Sequence, residues 1–372
     1  PDTVKAIGDN AFKNNDMIRN IYIPDSVTSI GENAFYDCDQ LTSVFIPDSV
    51  TSVGSSCFYS CNNLTYAKLP QNMNVVSSHM FYECKKLETV VFGMNVTEIE
   101  NQAFEGCNKL VNIKLPENLT EIRPSAFSCC KSLTEITIPK SLTDCNSYGD
   151  GIFYGCSNLK TINFEKGITR IPAFLFHGTD GLEEIDIPET VTTIGGDAFE
   201  NCKNLTTVTG MKNVTKIENQ AFEGCNKLVN IKLPENLTEI RPSAFSCCKS
   251  LTEITIPKSL TDCNSYGDGI FYGCSNLKTI NFEKGITRIP AFLFHGTDGL
   301  EEIDIPETVT TIGGDAFENC KNLTTVTGMK NVTKIGDNAF YNCSNLKEIT
   351  IPDTVENMGT SIFYGCTSLK SV

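Results

Sequence analysis

The chain has no tryptophan and three histidines, two of which, His177 and His295, sit in copies of one segment. A chemistry that needs one unique histidine therefore has few candidates, and there is no indole on which a sugar could stack. Basic residues are scarce: 30 against 45 acidic ones, for a formal net charge of -15. That disfavours nucleic acid, whose phosphates need a basic face, and anchoring on an anionic membrane. No apolar run approaches the roughly 20 residues of a membrane-spanning helix. No charged-then-apolar leader begins at Pro1, so any targeting segment is expected to have been removed or to lie outside this sequence. What is present is 372 residues, 40% of them apolar, enough to bury a core over several domains or one long repeat array.

Internal periodicity decides between these. Written in lines of 23, the sequence aligns: IGDNAFKNNDMIRNIYIPDSVTS (7–29), IGENAFYDCDQLTSVFIPDSVTS (30–52), and so on to an incomplete line at Met358. Lines starting at Ile122 and Ile240 carry three extra residues. A second period overlies the first, for residues 99–217 recur as 217–335 without a change, an offset of 118 residues or five lines. A solenoid tolerates a whole-number insertion of lines because each coil contacts only its neighbours. The expected organisation is thus one solenoid over 1–372, of about 16 coils at about 4.8 Å each, a rod or arc on the order of 75 Å long.

The columns carry physical meaning. Position one is Ile or Val in most lines, and position six is Phe in every line, taking sixteen of the 22 phenylalanines. Stacked rings there would fill one wall of a core. Position twelve is nearly always Leu. The stretch that follows alternates: in SVFIP, Val44 and Ile46 point inward, Ser43 and Phe45 outward, the period of a short strand. SVTSI supplies a second extended piece, and GENAFYDC is expected to form a turn with one helical turn.

IPDSVTSIGENAFYDCDQLTSVFIP closely resembles the BspA-type leucine-rich repeat of bacterial and protist surface proteins. Its pattern, I-G-x-x-A-F-x-x-C-x-x-L-x-x-I-x-I-P, runs from Val4 to Val372. The resemblance implies a right-handed leucine-rich repeat coil with a parallel sheet on one face and short extended segments and helical turns on the other. It also implies a place outside the cell or on its surface, and adhesion to host matrix or cell-surface proteins.

Thirteen of the 18 cysteines stand in the ninth column, where Asn15, Thr179 and Thr297 replace them in other lines. Such a slot wants a small side chain that donates a hydrogen bond, which a buried thiol can be. One cysteine per coil offers no pair for a disulfide and no cluster for zinc. Cys57 takes a small-residue column. Cys129 and Cys145, with their copies Cys247 and Cys263, leave a disulfide open as an alternative. Cys145 and Cys263, placed in the insertions, are expected to reach solvent. So many unpaired thiols suit an anaerobic habitat, the setting the resemblance implies.

Sites for chemistry are thin. His177 in FLFHGTDG lies near Asp180 but lacks a nucleophile and orienting acid, so His79, His177 and His295 are expected to be solvent-facing turn residues. In DCNSYGDG, Asp144, Asn146 and Gly149 match positions of a calcium loop, but Tyr148 and Gly155 stand where ligands are needed. A bulged loop is the plainer account. Asn-x-Ser/Thr at Asn63, Asn95, Asn118, Asn204, Asn213, Asn236, Asn322, Asn331 and Asn342 follows the coil pattern, which explains it without glycans.

The outward strand positions make the binding candidate. Tyr22, Phe45 and Tyr66 are expected in one column on three consecutive coils, with Lys68 and Val91 beside them. Exposed aromatics on a rigid sheet are what a protein-binding hot spot requires; cross-strand stabilisation of the sheet is the plainer alternative. Glu184 with Asp186, and Glu302 with Asp304, read as solvated acidic spots. The ends, PDTVKAI and GCTSLKSV, show no polar cap, so the chain is expected to be a piece of a longer surface protein. The sequence thus points to a non-enzymatic array without cofactor or metal that binds a host or microbial surface protein. A structural spacer and a glycan-binding module are the alternatives.

Overall fold

The computed structural model describes residues 2–143, 145, 150–261, 263 and 268–372. The calcium-loop candidates Asp144, Asn146, Tyr148 and Gly149 lie outside the described residues. The chain divides into two compact units, residues 1–168 with 172–182, and residues 169–171 with 183–372.

Each unit is a stack of coils, most of which lay down two short strands among the described residues. In the first unit Ser43–Phe45, Tyr66–Lys68, Thr89–Val91 and Asn112–Ile113 form a parallel sheet, and Glu135–Ile138 pairs in parallel with Thr161–Phe164. The second strand series contains Ala6–Ile7, Ser29–Ile30 and Ser52–Val53, then Val75–Val76, Glu98–Ile99 and Glu121–Ile122. The second unit repeats this plan, with Glu184–Asp186, Thr207–Thr209 and Asn230–Ile231 in one sheet and Arg170–Ile171, Thr193–Ile194, Lys216–Ile217 and Glu239–Ile240 in the other. The 23-residue spacing is the strand register itself, as in Val44 opposite Ala67 and Ala67 opposite Val90. Alternation sets burial: Val44 and Ile46 are 0% and 2% exposed and Phe45 56%.

The expected helical turns do not form. Among the described residues the one helix is a 3₁₀ turn at Met329–Asn331. Two residues per coil, four apart, stand in the left-handed region: Asn33 (φ 53°) and Asp37 (φ 55°), then Ser56 (φ 55°) and Ser60 (φ 53°). A right-handed helix cannot pass through them. The amides are also committed elsewhere. Asn33, Phe35 and Asp37 donate to the carbonyls of Ser55, Cys57 and Tyr59 on the next coil at 2.8–3.0 Å, while Tyr36 donates back to Asn33 at 3.1 Å. Bonds between coils and tight turns replace the i to i−4 ladder a helix would need.

The phenylalanine column forms the core wall. Rings from Phe12 to Phe176 in the first unit, and from Phe199 to Phe363 in the second, stack at 5.1–6.2 Å with planes within 21°. That is offset-stacked geometry. Behind each ring sits the cysteine column. In the first unit Cys38, Cys61, Cys84, Cys107, Cys130 and Cys156 each donate Sγ–H to the carbonyl of the column phenylalanine one coil back, at 3.0–3.3 Å. Thr179 donates its hydroxyl the same way to Phe153 at 3.5 Å. The slot takes a small buried side chain, so Thr can stand for Cys; the Thr297 hydroxyl fills the same slot in the second unit without a hydrogen bond. Burial pushes the thiols up, to about 12 at Cys156.

The described residues include all 18 cysteines, and none is in a disulfide. The expected exposure of Cys145 and Cys263 is wrong: they are 2% and 4% exposed. Ile138, Leu142 and Cys145 keep the spacing of Ile46, Val50 and Val53, so Cys145 fills the inward slot of column one and the extra residues follow it. The half-exposed thiols are instead Cys129 and Cys247.

Candidate binding face

The outward side of the first unit's strands carries large exposed side chains. Tyr22 is 82% exposed, Phe45 56% and Val91 37%. Phe45 lies opposite Lys68, and Lys68 opposite Val91. Asn20 bridges Ser43, which puts Tyr22 next to Phe45 in that column. The column is therefore Tyr22, Phe45, Lys68 and Val91. Tyr66 does not belong to it, contrary to the expectation from sequence: it pairs with Ser43 and Thr89. It stands 21 residues beyond Phe45, not 23, and so falls two positions earlier on its strand. It still reaches Phe45 diagonally, with ring centroids 5.2 Å apart and planes tilted by 36°, as diagonal strand neighbours with long side chains can.

A groove of about 420 Å³ runs along this column, lined by Tyr22, Phe45, Pro47 and Lys68, with Asp25 and Asp48 also at its wall. Both aspartates are exposed, and Asp48 Oδ1 accepts the Gln71 amide at 2.9 Å. The floor is held by the buried Ile23 and Ile46. Sheet hydrogen bonds fix the backbone below, so the aromatic rings are presented with little freedom to lose on binding. The face can bury apolar surface at its centre and hold charges of either sign at its ends; it brings together no nucleophile and base.

Other candidates resolve into structure. The histidines are half-buried in the turns and not solvent-facing. His295 Nε2 lies 3.2 Å from the Asn319 amide nitrogen, and burial lowers its pKa. His79 packs 5.6 Å from Tyr82. Glu184 and Asp186, like Glu302 and Asp304, are exposed, and Asp186 and Asp304 accept the Thr209 and Thr327 hydroxyls at 2.6 Å. In the Asn-x-Ser/Thr positions, Asn63, Asn118, Asn213, Asn322 and Asn331 donate side-chain amides to carbonyls one coil back at 2.6–3.1 Å. Among the described residues no group of three His, Cys, Asp or Glu could hold a metal ion, and no helix is long and apolar enough to cross a membrane.

One ring ladder escaped the reading of the sequence. Tyr36, Tyr59 and Tyr82 stack at 4.6 and 4.7 Å on the turn side, with Lys13 Nζ 4.6 Å above Tyr36. The signal was tyrosine at 23-residue spacing. Neighbouring rings and the lysine occupy most of the faces, so the stack holds coils together more than it offers a platform.

Two strands in most coils, a phenylalanine wall and an inward leucine column define a leucine-rich repeat array. The chain belongs to the BspA-type leucine-rich repeat family: the model described as "BspA type Leucine rich repeat region (6 copies)" matches residues 1–109, 76–206, 146–267, 192–324 and 262–370. Among solved structures it is similar to a leucine-rich repeat protein from Bacteroides ovatus, at 27% identity over 89% of this chain and 92% of that one, with a TM-score of 0.63. A leucine-rich cell surface protein from Faecalibacterium prausnitzii is 29% identical over 95% of this chain and 84% of its own, with a TM-score of 0.45. A leucine-rich repeat protein from Eubacterium ventriosum is 24% identical over 92% and 83%, with a TM-score of 0.48. No curated protein matches the sequence. Proteins of this repeat family are generally non-catalytic protein-interaction modules.

Proposed function

We propose that the chain is an extracellular adhesion module whose docking face is the aromatic column of the first unit. Tyr22 and Phe45 anchor the partner, Tyr66 supports Phe45 from the adjacent position, and Lys68 and Val91 extend the contact. The observation that carries this reading is exposure. Two large aromatic side chains, 82% and 56% exposed, stand side by side on a hydrogen-bonded sheet, and large apolar surface left in water marks interaction sites. The partner is a host or microbial surface protein, which accords with the surface location that the family resemblance implies.

The test is binding of purified extracellular-matrix and cell-surface proteins, measured by biolayer interferometry on the parent chain and on Tyr22→Ser/Phe45→Ser. At least one such protein should bind the parent, and the double variant should bind about 100-fold more weakly, the loss of two hot-spot anchors. A spacer predicts no binding by either chain, or equal binding by both, and either result would reject the proposal.

A further inference from the structure

The internal duplication copies a set of hydrogen-bond donors but not the acceptor they share. In the first copy that acceptor is Glu218. Its Oε2 lies 2.8 Å from Arg170 Nη2 and accepts the Gly196 amide at 3.2 Å, and its Oε1 lies 3.4 Å from Lys216 Nζ. The three donors come from three successive coils, so one carboxylate ties them together. Glu100 makes the amide part of this arrangement, accepting from Ser78 at 2.8 Å.

Arg170, Gly196 and Lys216 recur as Arg288, Gly314 and Lys334. Glu218 does not recur, because the second copy ends at Ile335 and Gly336 stands in its place. Strand register is the same in both copies, Arg170 to Thr193 to Lys216 and Arg288 to Thr311 to Lys334, so the donors keep their places. Lys334 also lacks a second partner, for Asn357 stands opposite it where Lys216 faces Glu239 at 3.6 Å. Among the described residues neither Arg288 nor Lys334 makes an ion pair, and the Gly314 amide has no acceptor. All three residues line one groove of about 350 Å³, together with Gly313 and Gly336.

The acids nearby do not take the place of Glu218. Asp337, at the groove wall, accepts the Thr360 amide and hydroxyl at 2.6 and 3.1 Å. It thus turns to the following coil, while Gly314 is on the preceding one. These bonds, with Lys334 nearby, hold its carboxyl below the usual range. Glu356 is exposed and pairs with neither cation. Asp315, beside Gly314, has its counterpart Asp197 in the first copy, where Glu218 is held all the same. The second copy therefore offers two cations and an amide around the position that a carboxylate takes in the first, not a broad positive surface. Hydrogen bonds from cationic donors to a carboxylate are about twice as strong as neutral ones.

We propose that Arg288, Lys334 and the Gly314 amide form a carboxylate-binding site, which takes from outside the coils the group that Glu218 supplies in the first copy. The ligand is a carboxylate on a short chain, as a free acid or as an aspartate or glutamate side chain of another protein. The site belongs to the second strand series of the second unit and does not depend on the aromatic face.

The test is proton–nitrogen NMR of the full chain, read at the Nε–H groups of its five arginines and at the Gly314 amide. The probes are acetate, for a free acid, N-acetylglutamate α-methylamide, for a side chain, and the matching glutamine derivative. A carboxylate probe should shift Arg288 and Gly314 together and saturably at millimolar concentration, and the glutamine derivative should shift neither. The tighter of the two carboxylates identifies the source. Arg170, already held by Glu218, should stay in place. Lys334→Gln should weaken binding about tenfold. Glu218→Gly, which gives the first copy the glycine of the second, should make Arg170 and Gly196 respond as Arg288 and Gly314 do. No saturable shift at Arg288 with either carboxylate, an equal shift with the glutamine derivative, equal shifts at Arg170 and Arg288 in the parent chain, or silence at Arg170 in Glu218→Gly would each overturn the proposal.

Discussion

At the scale of the residue, copies in the sequence are not copies in their surroundings. Phe104 and Phe222 are both fully buried. Each stacks between two column rings, at 5.4 and 5.1 Å for Phe104 and at 5.1 and 5.3 Å for Phe222. Phe104 also meets the edge of Phe92 at 5.8 Å, where the coil before Phe222 has Gly210. Phe222→Ala should cost about 3–5 kcal/mol. Phe104→Ala should cost about 0.5–1.5 kcal/mol more, the worth of the extra ring contact. Denaturant melts measure both, and a greater cost at Phe222 would contradict this packing. The thiols give a second residue-level prediction. Burial holds Cys107, Cys225, Cys274 and Cys320 of the column in their protonated, unreactive form, the last two pushed up to about 12, whereas a hydrogen bond with Cys343 lowers Cys366 at the end of the column. Thiolate is the reactive species, so native-state labelling should modify the half-exposed Cys129 and Cys247 and the lowered Cys366 before the others, and leave Cys107, Cys145, Cys225 and Cys263 unmodified. Early labelling of Cys145 would mean that it does not fill the column-one slot.

At the scale of the element, the strands were legible and the turns were not. Alternation in SVFIP placed Val44, Phe45 and Ile46 on the correct sides because burial follows the two-residue period of a strand directly. The turn segment differs from the expectation because Ala-Phe-x-x-Cys has helix-like spacing, while the left-handed positions are filled by Asn, Asp and Ser more often than by glycine. Those residues tolerate that conformation with little outward sign. Tyr66 was misplaced by counting outward positions within its strand and not the 23-residue register. The groove walls, Asp25 and Asp48, could not be read at all, since they come from loops that only the stacking of coils brings beside Tyr22 and Phe45.

The turns also crowd charge, with a consequence for stability. Burial, with Asp315 as a hydrogen-bonding and charged neighbour, raises Glu318 from 4.5 to about 7. A carboxyl whose folded pKa lies above its unfolded one binds its proton more tightly when folded. Its contribution is therefore full below about pH 4.5 and is lost as pH rises towards 7. Glu318→Gln should melt with the parent near pH 4.5 and above it at pH 8, by a small margin because the side chain is partly in water. Calorimetry at the two pH values decides, and a lower melting point for the variant at pH 8 would refute the assignment.

At the scale of the whole molecule, the account rests on coils that meet only their neighbours. Deleting Glu100 through Ile217 removes the 118-residue offset and joins Ile99 to Glu218, which restores the sequence on both sides of the junction. The shorter chain should fold and keep its β-sheet circular dichroism. An aggregated product would show that the array is not modular. The central claim, that the strand face of the first unit meets the partner, is tested most directly by hydroxyl-radical footprinting of the chain with and without a bound surface protein. Oxidation of Tyr22 and Phe45 should fall on binding, while Met17 and Tyr364, 87% and 65% exposed, keep their rates. Protection at Tyr364 with Tyr22 and Phe45 unchanged would contradict the account.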